Sequence, residues 1–314
     1  MVDTSMNGYI LQDFGGRFLT TSSSLVGDQT YPNVSAYVEW FIPKNANDLS
    51  VTFVHGGGGQ GSEFLRTPDN RPGWVHAFLA AGYAVYLLDR PGHGRCHWNE
   101  SVLGPSVAAP SYEILYPRFV EPARHGLWDE ASLHSQWPDD PQCGDRFMAS
   151  QGVMATTLEA AQRHVEAIAD ELFKLAGPTI ILSHSAGGPC GWALAAIGGD
   201  LVAAVMAVEP LGFPGQKHSL GRFSNGLVAA SFSGKANPYA RPVLVVTGEA
   251  TWMREANVKT VEFLLAQGFG AEHMILSERG LTGNGHMMMS EKNSDKIVNL
   301  LIGWLAENCS KDTQ

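Results

Sequence analysis

Five small or polar residues near the middle of the chain have the types and spacing of a nucleophile turn. The apolar run 179–182 predicts a short buried strand, and it is followed directly by Ser-His-Ser-Ala-Gly at 183–187. A serine held on a strained strand-to-helix turn needs small residues two positions before and after it, because bulky side chains there would collide. Ser185 is therefore the candidate nucleophile, although Ser183 stands where this motif usually has glycine.

A serine hydroxyl becomes an effective nucleophile only when a neighbouring base accepts its proton. Among the eleven histidines, His286 lies in a glycine-rich loop, 283–289, between the last predicted strand and the last predicted helix. The base that serves such a serine follows it in the chain and comes from this kind of loop, so His286 is the candidate base. We expect His184 to pack beside the turn and His93 and His97 to belong to turns or to a lid.

The acid that would orient the histidine has two candidates at the ends of predicted strands. Glu209 directly follows the sixth predicted strand, 201–208, and Glu249 follows the seventh, 243–246. The place where an aspartate is usual after the seventh strand holds Thr251, which cannot carry the charge that stabilises an imidazolium. We favour Glu209 over Glu249, because its extra methylene lets it reach the same histidine.

Acyl transfer also requires N–H donors for the oxyanion that develops on the substrate. The backbone N–H of Ala186, next to the nucleophile, is one expected donor. The other is expected from His-Gly-Gly-Gly at 55–58, after the third predicted strand, because glycine allows the backbone to approach the substrate closely. We assign Gly57, with Gly58 as the alternative. A dinucleotide-binding glycine pattern would belong to the first strand–helix–strand unit rather than here.

The elements that must position these residues alternate along the chain. Apolar runs predict strands at 17–21, 36–42, 51–54, 83–88, 179–182, 201–208, 243–246 and 273–276. Three-and-four spacing predicts helices at 74–81, 158–175, 254–267 and 291–307. This alternation predicts an α/β fold with a mostly parallel sheet and helices on both faces, in a single domain over residues 1–314.

Two stretches lack a sustained hydrophobic period. Residues 97–145 are rich in proline and large aromatic side chains, and a structureless loop of that length is rare in a compact domain. We therefore predict a cap or lid inserted at 97–145, with a second lid segment at 211–241.

Composition excludes several classes of partner. The net charge of −10 argues against binding nucleic acid or an anionic membrane, since both need clustered basic residues. The four cysteines are scattered, without a metal-binding spacing, so we expect free thiols and no metal. No signal peptide and no run long enough to span a membrane is evident, which predicts a cytoplasmic protein.

With these motifs assembled, the sequence resembles the α/β-hydrolase superfamily over about residues 35–307. It is most similar to a small branch of microbial serine esterases with a Ser-Glu-His triad. The resemblance is carried by Leu-Ser-His-Ser up to Ser185, Val-Glu-Pro at Glu209 and Gly-Asn-Gly-His-Met-Met-Met at His286. It implies ester hydrolysis without a metal or organic cofactor, and it allows a homodimer.

The first hypothesis is a serine esterase or lactonase acting on a medium-sized apolar or aromatic ester. Ser185 would attack, His286 would act as base and then acid, Glu209 would orient it, and the N–H groups of Gly57 and Ala186 would hold the oxyanion. A second hypothesis uses the same triad for cleavage of a carbon–carbon bond or for cyclisation. A third is a hydrolase-like protein that only senses a ligand.

Overall fold

The computed structural model describes residues 9–213, 216–218, 221–222 and 241–309. Its central feature is an eight-stranded sheet. In chain order the strands are β1 Leu11–Thr20, β2 Ser35–Pro43, β3 Ser50–Val54, β4 Ala84–Asp89, β5 Thr179–His184, β6 Val202–Val208, β7 Pro242–Thr247 and β8 Gly270–Ile275. They lie side by side in the order β1-β2-β4-β3-β5-β6-β7-β8. The predicted α/β class is thereby confirmed.

The sheet is parallel except at one strand. Strand β2 pairs antiparallel with both β1 and β4, and the other neighbouring strands pair in parallel. Strands β3 and β5 are buried along their whole lengths, as the near-continuous apolar runs in the sequence predict for strands covered on both faces. The carboxyl ends of the parallel strands therefore meet at one edge of the sheet.

Six main helices cover the two faces. They are α1 Trp74–Ala80, α2 Leu158–Glu166, α3 Ala169–Ala176, α4 Gly187–Gly198, α5 Arg254–Ala266 and α6 Ser294–Asn308. One apolar core contains Trp74 and Phe78 of α1 with Leu301 of α6. The other contains Leu172 of α3 and Trp192 of α4. The prediction of helices on both faces is confirmed.

One predicted helix is wrong in its continuity. The sequence favours a single helix over 158–175, and the structure has α2 and α3 separated at Ala167 and Ile168. Ile168 leaves the helical region, with φ of −109° and ψ of 0°, while its side chain is completely buried in the core. The apolar side chains on both sides of the break face the core. The three-and-four spacing therefore continues across it and does not reveal the break.

The stretch predicted as a cap, 97–145, contains several short helices instead of a bare loop. Helical turns occupy Glu100–Leu103, Tyr112–Leu115, Tyr116–Val120, Pro122–His125, Asp129–Leu133 and Gln142–Ala149. The irregular part continues to Ala155, where Met154–Ala155 pairs with Ser106–Val107. Elements this short cannot produce a sustained hydrophobic period, which explains why the sequence shows none.

The remaining short elements lie outside the main sheet. They comprise a hairpin of Ser23–Val26 and Gln29–Pro32, the pair Lys217–His218 and Gly221–Arg222, and 3-10 turns at Gly61–Phe64, Gly199–Leu201 and Leu276–Arg279. The second predicted lid segment, 211–241, lies for the most part outside the described residues. All four cysteines are free thiols, as predicted.

Candidate active site

Ser185 occupies a strained turn between β5 and α4. Its φ of 51° lies in the left-handed region, which residues with a side chain rarely adopt. Its N–H donates to the carbonyl of Val208 at 3.1 Å, which continues the pairing of β5 with β6 one residue past the strand. A side chain on Gly187 would collide with the backbone carbonyl of His55, so only glycine fits there. The turn therefore has the strain and the crowding that its sequence predicts.

The serine at 183, where glycine is usual, is explained by the helix behind it. Ser183 is completely buried, and a Cβ atom added to Gly191 of α4 would lie 2.7 Å from its Oγ. The absence of a side chain at Gly191 thus leaves the room that a glycine at position 183 would otherwise leave.

Three sequence-predicted residues meet at the carboxyl edge of the sheet. The Oγ atom of Ser185 lies 2.8 Å from Nε2 of His286, and Nδ1 of His286 lies 3.3 Å from Oε2 of Glu209. His286 and Glu209 are both buried. With Nδ1 donating to the carboxylate, Nε2 is free to accept the serine proton.

Glu209 is held by donors from the neighbouring strand end. Its carboxylate accepts hydrogen bonds from the N–H of Gly248 and from the hydroxyl of Thr251, each at 2.6 Å. Glu209 also has a positive φ, 49°, and its own N–H donates to the carbonyl of Val246. Thr251 stands at the position where an aspartate is usual. Its hydroxyl therefore supports Glu209, which lies at the place of the acid instead of that aspartate. Glu249 instead accepts the N–H of Gly283 at 2.8 Å.

Burial controls the protonation of this pair. It lowers the pKa of His286 to about 3, against a smaller opposing effect of the Glu291 carboxylate. Burial also raises the pKa of Glu209 to about 8, and the hydrogen bonds from Thr251 and Gly248 oppose that rise. A buried imidazole that resists protonation keeps its Nε2 lone pair available at neutral pH.

The loop that carries His286 is anchored by a second buried carboxylate. Glu291 is completely buried and accepts hydrogen bonds from Asn284 Nδ2 at 2.7 Å and from the N–H of Gly285 at 2.8 Å. His134, from the predicted cap, approaches the same carboxylate with Nε2 at 2.9 Å. The final helix begins at Ser294 rather than at the predicted 291, because Glu291 belongs to this anchor.

Aromatic rings cover the imidazole. The ring of Trp252 stacks on His286 with centroids 4.6 Å apart and an interplanar angle of 25°. Phe119 of the predicted cap lies on the same histidine at 5.3 Å, and His184 lies at 4.8 Å. His184 is buried and its Nε2 donates to the carbonyl of His286, so it packs beside the turn as predicted.

The side chain of Arg90 fixes the glycine loop after β3, a role that the sequence analysis missed. Nη2 of Arg90 donates to the carbonyls of Gly56 and Gly57 at 2.7 and 2.8 Å, and Nε2 of His93 lies 3.0 Å from the Gly57 carbonyl. The guanidinium is buried, with no carboxylate in salt-bridge range among the described residues. Arg90 directly follows β4, the strand beside β3, and this position could have indicated that its side chain reaches the glycine loop.

These groups surround a cavity of about 170 Å³. Ser185, His286 and the glycine loop, including Gly57, form one part of its wall. Apolar side chains of the predicted cap, and of the residues just after it, form much of the rest: Ile114, Leu115 and Phe119 from the cap, then Phe147 and Met154. Of the 287–289 methionine run, Met287 reaches the cavity, and all three side chains are buried.

Within the described part of the chain, no group of three or more His, Cys, Asp or Glu side chains could hold a metal ion. Over the same residues, no helix has the length and apolarity to cross a membrane.

A model of the alpha/beta hydrolase family matches residues 53–281. The chain belongs to this family. A probable secreted lipase from a fungus (Fungal sp., strain ATCC 74256) is 31% identical over 328 residues, which span 91% of this chain and 89% of the lipase.

Solved structures share the fold. One is described as a novel bacterial esterase, with a TM-score of 0.69 at 23% identity, over 96% of this chain and 98% of its own. Another is a serine hydrolase of the polyaromatic-hydrocarbon-degrading bacterium Cycloclasticus zankles, with a TM-score of 0.51 at 12% identity, over 95% of this chain and all of its own. At these identities, the likeness concerns the fold alone.

Replacing Glu291 with alanine should lower the free energy of unfolding by about 3 kcal/mol or more, because several buried donors lose their acceptor together. Urea denaturation measures the change. Glu255→Ala is the matched control, since Glu255 lies on the exposed side of α5 beside Lys259, and its denaturation midpoint should not move. Equal midpoints for the two variants would contradict the anchoring role.

Proposed function

We propose that the protein is a serine hydrolase that cleaves carboxylic esters through an acyl-enzyme. One observation carries the proposal: Ser185 Oγ, His286 and Glu209 form a continuous chain of contacts, 2.8 and 3.3 Å long, at the rim of a cavity. The names of the similar proteins, a lipase and an esterase, support the choice of an ester.

In the proposed reaction, Ser185 attacks the acyl carbon while His286 accepts its proton. Glu209 stabilises the imidazolium that forms, and His286 then protonates the leaving alcohol. Water repeats the sequence on the acyl-enzyme and releases the acid. The stacked ring of Trp252 favours the imidazolium further, because an aromatic face attracts a cation.

We assign the oxyanion donors to the backbone N–H groups of Gly57 and Ala186. Gly57 belongs to the cavity wall, and Ala186 follows Ser185 at the start of α4. Arg90 supports this assignment, because it binds the carbonyls of Gly56 and Gly57 and so fixes the orientation of their peptide planes. A preorganised donor stabilises the developing charge without reorganising during the reaction.

The substrate we propose is a medium-sized apolar or aromatic ester or lactone. The cavity wall consists mostly of apolar side chains, which the stretch 97–145 and the residues just after it contribute in large part. We propose that this stretch is a cap on a single hydrolase domain. The second lid segment, the cytoplasmic location and the homodimer stay predictions.

A fluorophosphonate probe should form a covalent adduct on Ser185, because the probe reports a serine activated by a base. Peptide mapping by mass spectrometry locates the adduct. Ser185→Ala should abolish labelling and ester hydrolysis. Ser183→Ala, two positions away and facing Gly191, should retain both. An adduct elsewhere, or none, would overturn the assignment of the nucleophile.

Glu209→Gln should lower kcat for an aryl ester by about 10³- to 10⁴-fold, because the amide no longer stabilises the imidazolium or holds the productive tautomer. Glu249→Gln is the matched control with a small expected effect, since Glu249 contacts Gly283 rather than His286. Steady-state kinetics on both variants decides between them. The opposite ranking would reassign the acid to Glu249.

Thr251→Val should move the acidic limb of the kcat/KM profile to higher pH by about one unit or more. The Thr251 hydroxyl lowers the pKa of Glu209, so removing it raises that pKa and postpones formation of the active carboxylate–imidazole pair. Thr251→Ser keeps a hydroxyl donor and should restore the profile. A uniform loss of rate with an unmoved limb would indicate that Thr251 only supports packing.

A further inference from the structure

One segment of the predicted cap lies against the loop that carries the proposed catalytic base. This docking segment, residues 134–139, forms hydrogen bonds beside both ends of that loop. The N–H of Ser135 donates to the carbonyl of Gly283 at 3.1 Å, and the N–H of Lys292 donates to the carbonyl of Gln136 at 2.7 Å. None of the described residues that line the cavity belongs to the docking segment. Its contacts therefore need an explanation other than the binding of substrate.

Two glycines of the base loop make room for the docking segment. A Cβ atom on Gly283 would overlap the Oγ atom of Ser135, and a Cβ atom on Gly285 would lie 2.8 Å from Cδ2 of His134. Gly283 also has a φ of 76°, which by itself favours glycine. At Gly285 the limited space is the reason for glycine. The glycines that precede His286 in its motif are thus matched to the cap.

His134 shares an acceptor atom with the backbone just before His286. Nε2 of His134 and the N–H of Gly285 lie 2.9 and 2.8 Å from the same oxygen, Oε1 of Glu291. The side chains of His134 and Glu291 are both buried. A buried carboxylate is held in place by the donors that satisfy it. Loss of the His134 donor would therefore shift the acceptor that fixes Gly285, one residue before the base.

The contact between the base and its acid leaves little tolerance for such a shift. Nδ1 of His286 lies 3.3 Å from Oε2 of Glu209, which is slightly longer than a usual hydrogen bond, whereas Nε2 lies 2.8 Å from Oγ of Ser185. A displaced backbone would break the longer contact first, and the imidazolium would then lose its partner. A misplacement of about 1 Å that originates far from the chemistry can cost about 100-fold in rate.

We propose that His134 is a positioning residue for the catalytic base: through Glu291 it holds the backbone at Gly285 and so orients the imidazole of His286. The inference rests on the proposed serine hydrolysis and deepens it, because the cap then completes the catalytic geometry in addition to lining the cavity. His134 is not a catalytic residue, since it acts through Glu291 and contacts none of the reacting atoms.

The test replaces His134 and measures kcat and KM separately with an aryl ester. His134→Phe keeps a buried ring and removes the donor, whereas His134→Gln keeps an N–H donor at the end of a side chain of similar length. Rates are expressed per active site titrated with a fluorophosphonate, so that an inactive fraction does not lower kcat. Asp139→Asn is the matched control, because Asp139 belongs to the same docking segment but is exposed and accepts from Lys292.

His134→Phe should lower kcat by about 10- to 100-fold and change KM by less than about twofold, because the base is misplaced while the cavity wall stays as it is. His134→Gln should recover kcat to within about threefold of the wild type. Asp139→Asn should match the wild type, since an exposed ion pair contributes little. Labelling of Ser185 by the fluorophosphonate should slow in His134→Phe as kcat does, because both depend on the same base.

Three results would overturn the inference while leaving ester hydrolysis intact: an unchanged kcat in His134→Phe, a rise in KM alone, or a Gln variant as slow as the Phe variant. If His134→Phe does not fold, the shorter His134→Asn takes its place, and failure of both to fold would assign His134 to folding and overturn the inference.

The labelling rates separate this failure from failure of the proposed function. A wild type that is labelled at Ser185 but hydrolyses no ester would overturn ester hydrolysis, and the labelling rates of the His134 variants would still decide whether His134 positions the base. A wild type that is neither labelled nor active would overturn the proposed function and the inference with it.

Discussion

The proposed site depends on two backbone hydrogen bonds that extend the sheet beyond its strands. The N–H of Ser185 donates to Val208 and the N–H of Glu209 donates to Val246, so each residue is tied to the neighbouring strand just after its own strand ends. Both adopt positive φ, which the sheet enforces and a free loop would avoid. The ladder thus places a hydroxyl and a carboxylate on adjacent strand ends, within reach of one imidazole.

The polar groups behind the serine form a buried network. Three ionisable side chains, Glu209, His286 and Glu291, are buried together, and backbone N–H groups or side-chain donors hold both carboxylates. Such burial is tolerable only because these donors are present, since an unpaired buried charge is expensive. The same donors set the orientation of each side chain, so positioning and electrostatic balance come from one set of contacts.

Much of this arrangement could be predicted from sequence, because the relevant signals are local. The strained turn at Ser185, the glycine loop at His286 and the acid after β6 are each marked by neighbouring residues and by strand order. The roles of Arg90, Thr251 and Glu291 depend on contacts between segments far apart in the chain, which no local pattern records. The kink at Ile168 escaped for a different reason, since hydrophobic spacing reports the buried face and not the continuity of the helix.

Ser183 and Gly191 constrain how this turn can evolve or be transplanted. The serine fits because the facing helix position carries no side chain, so the residues that the two positions can hold depend on each other. Replacement of glycine by serine at position 183 requires glycine at position 191 beforehand. While the serine is present, alanine at 191 would collide with it. The order of the two substitutions therefore matters as much as their identity. A graft of the strand turn alone would transfer Ser183 without the glycine at 191 that makes room for it.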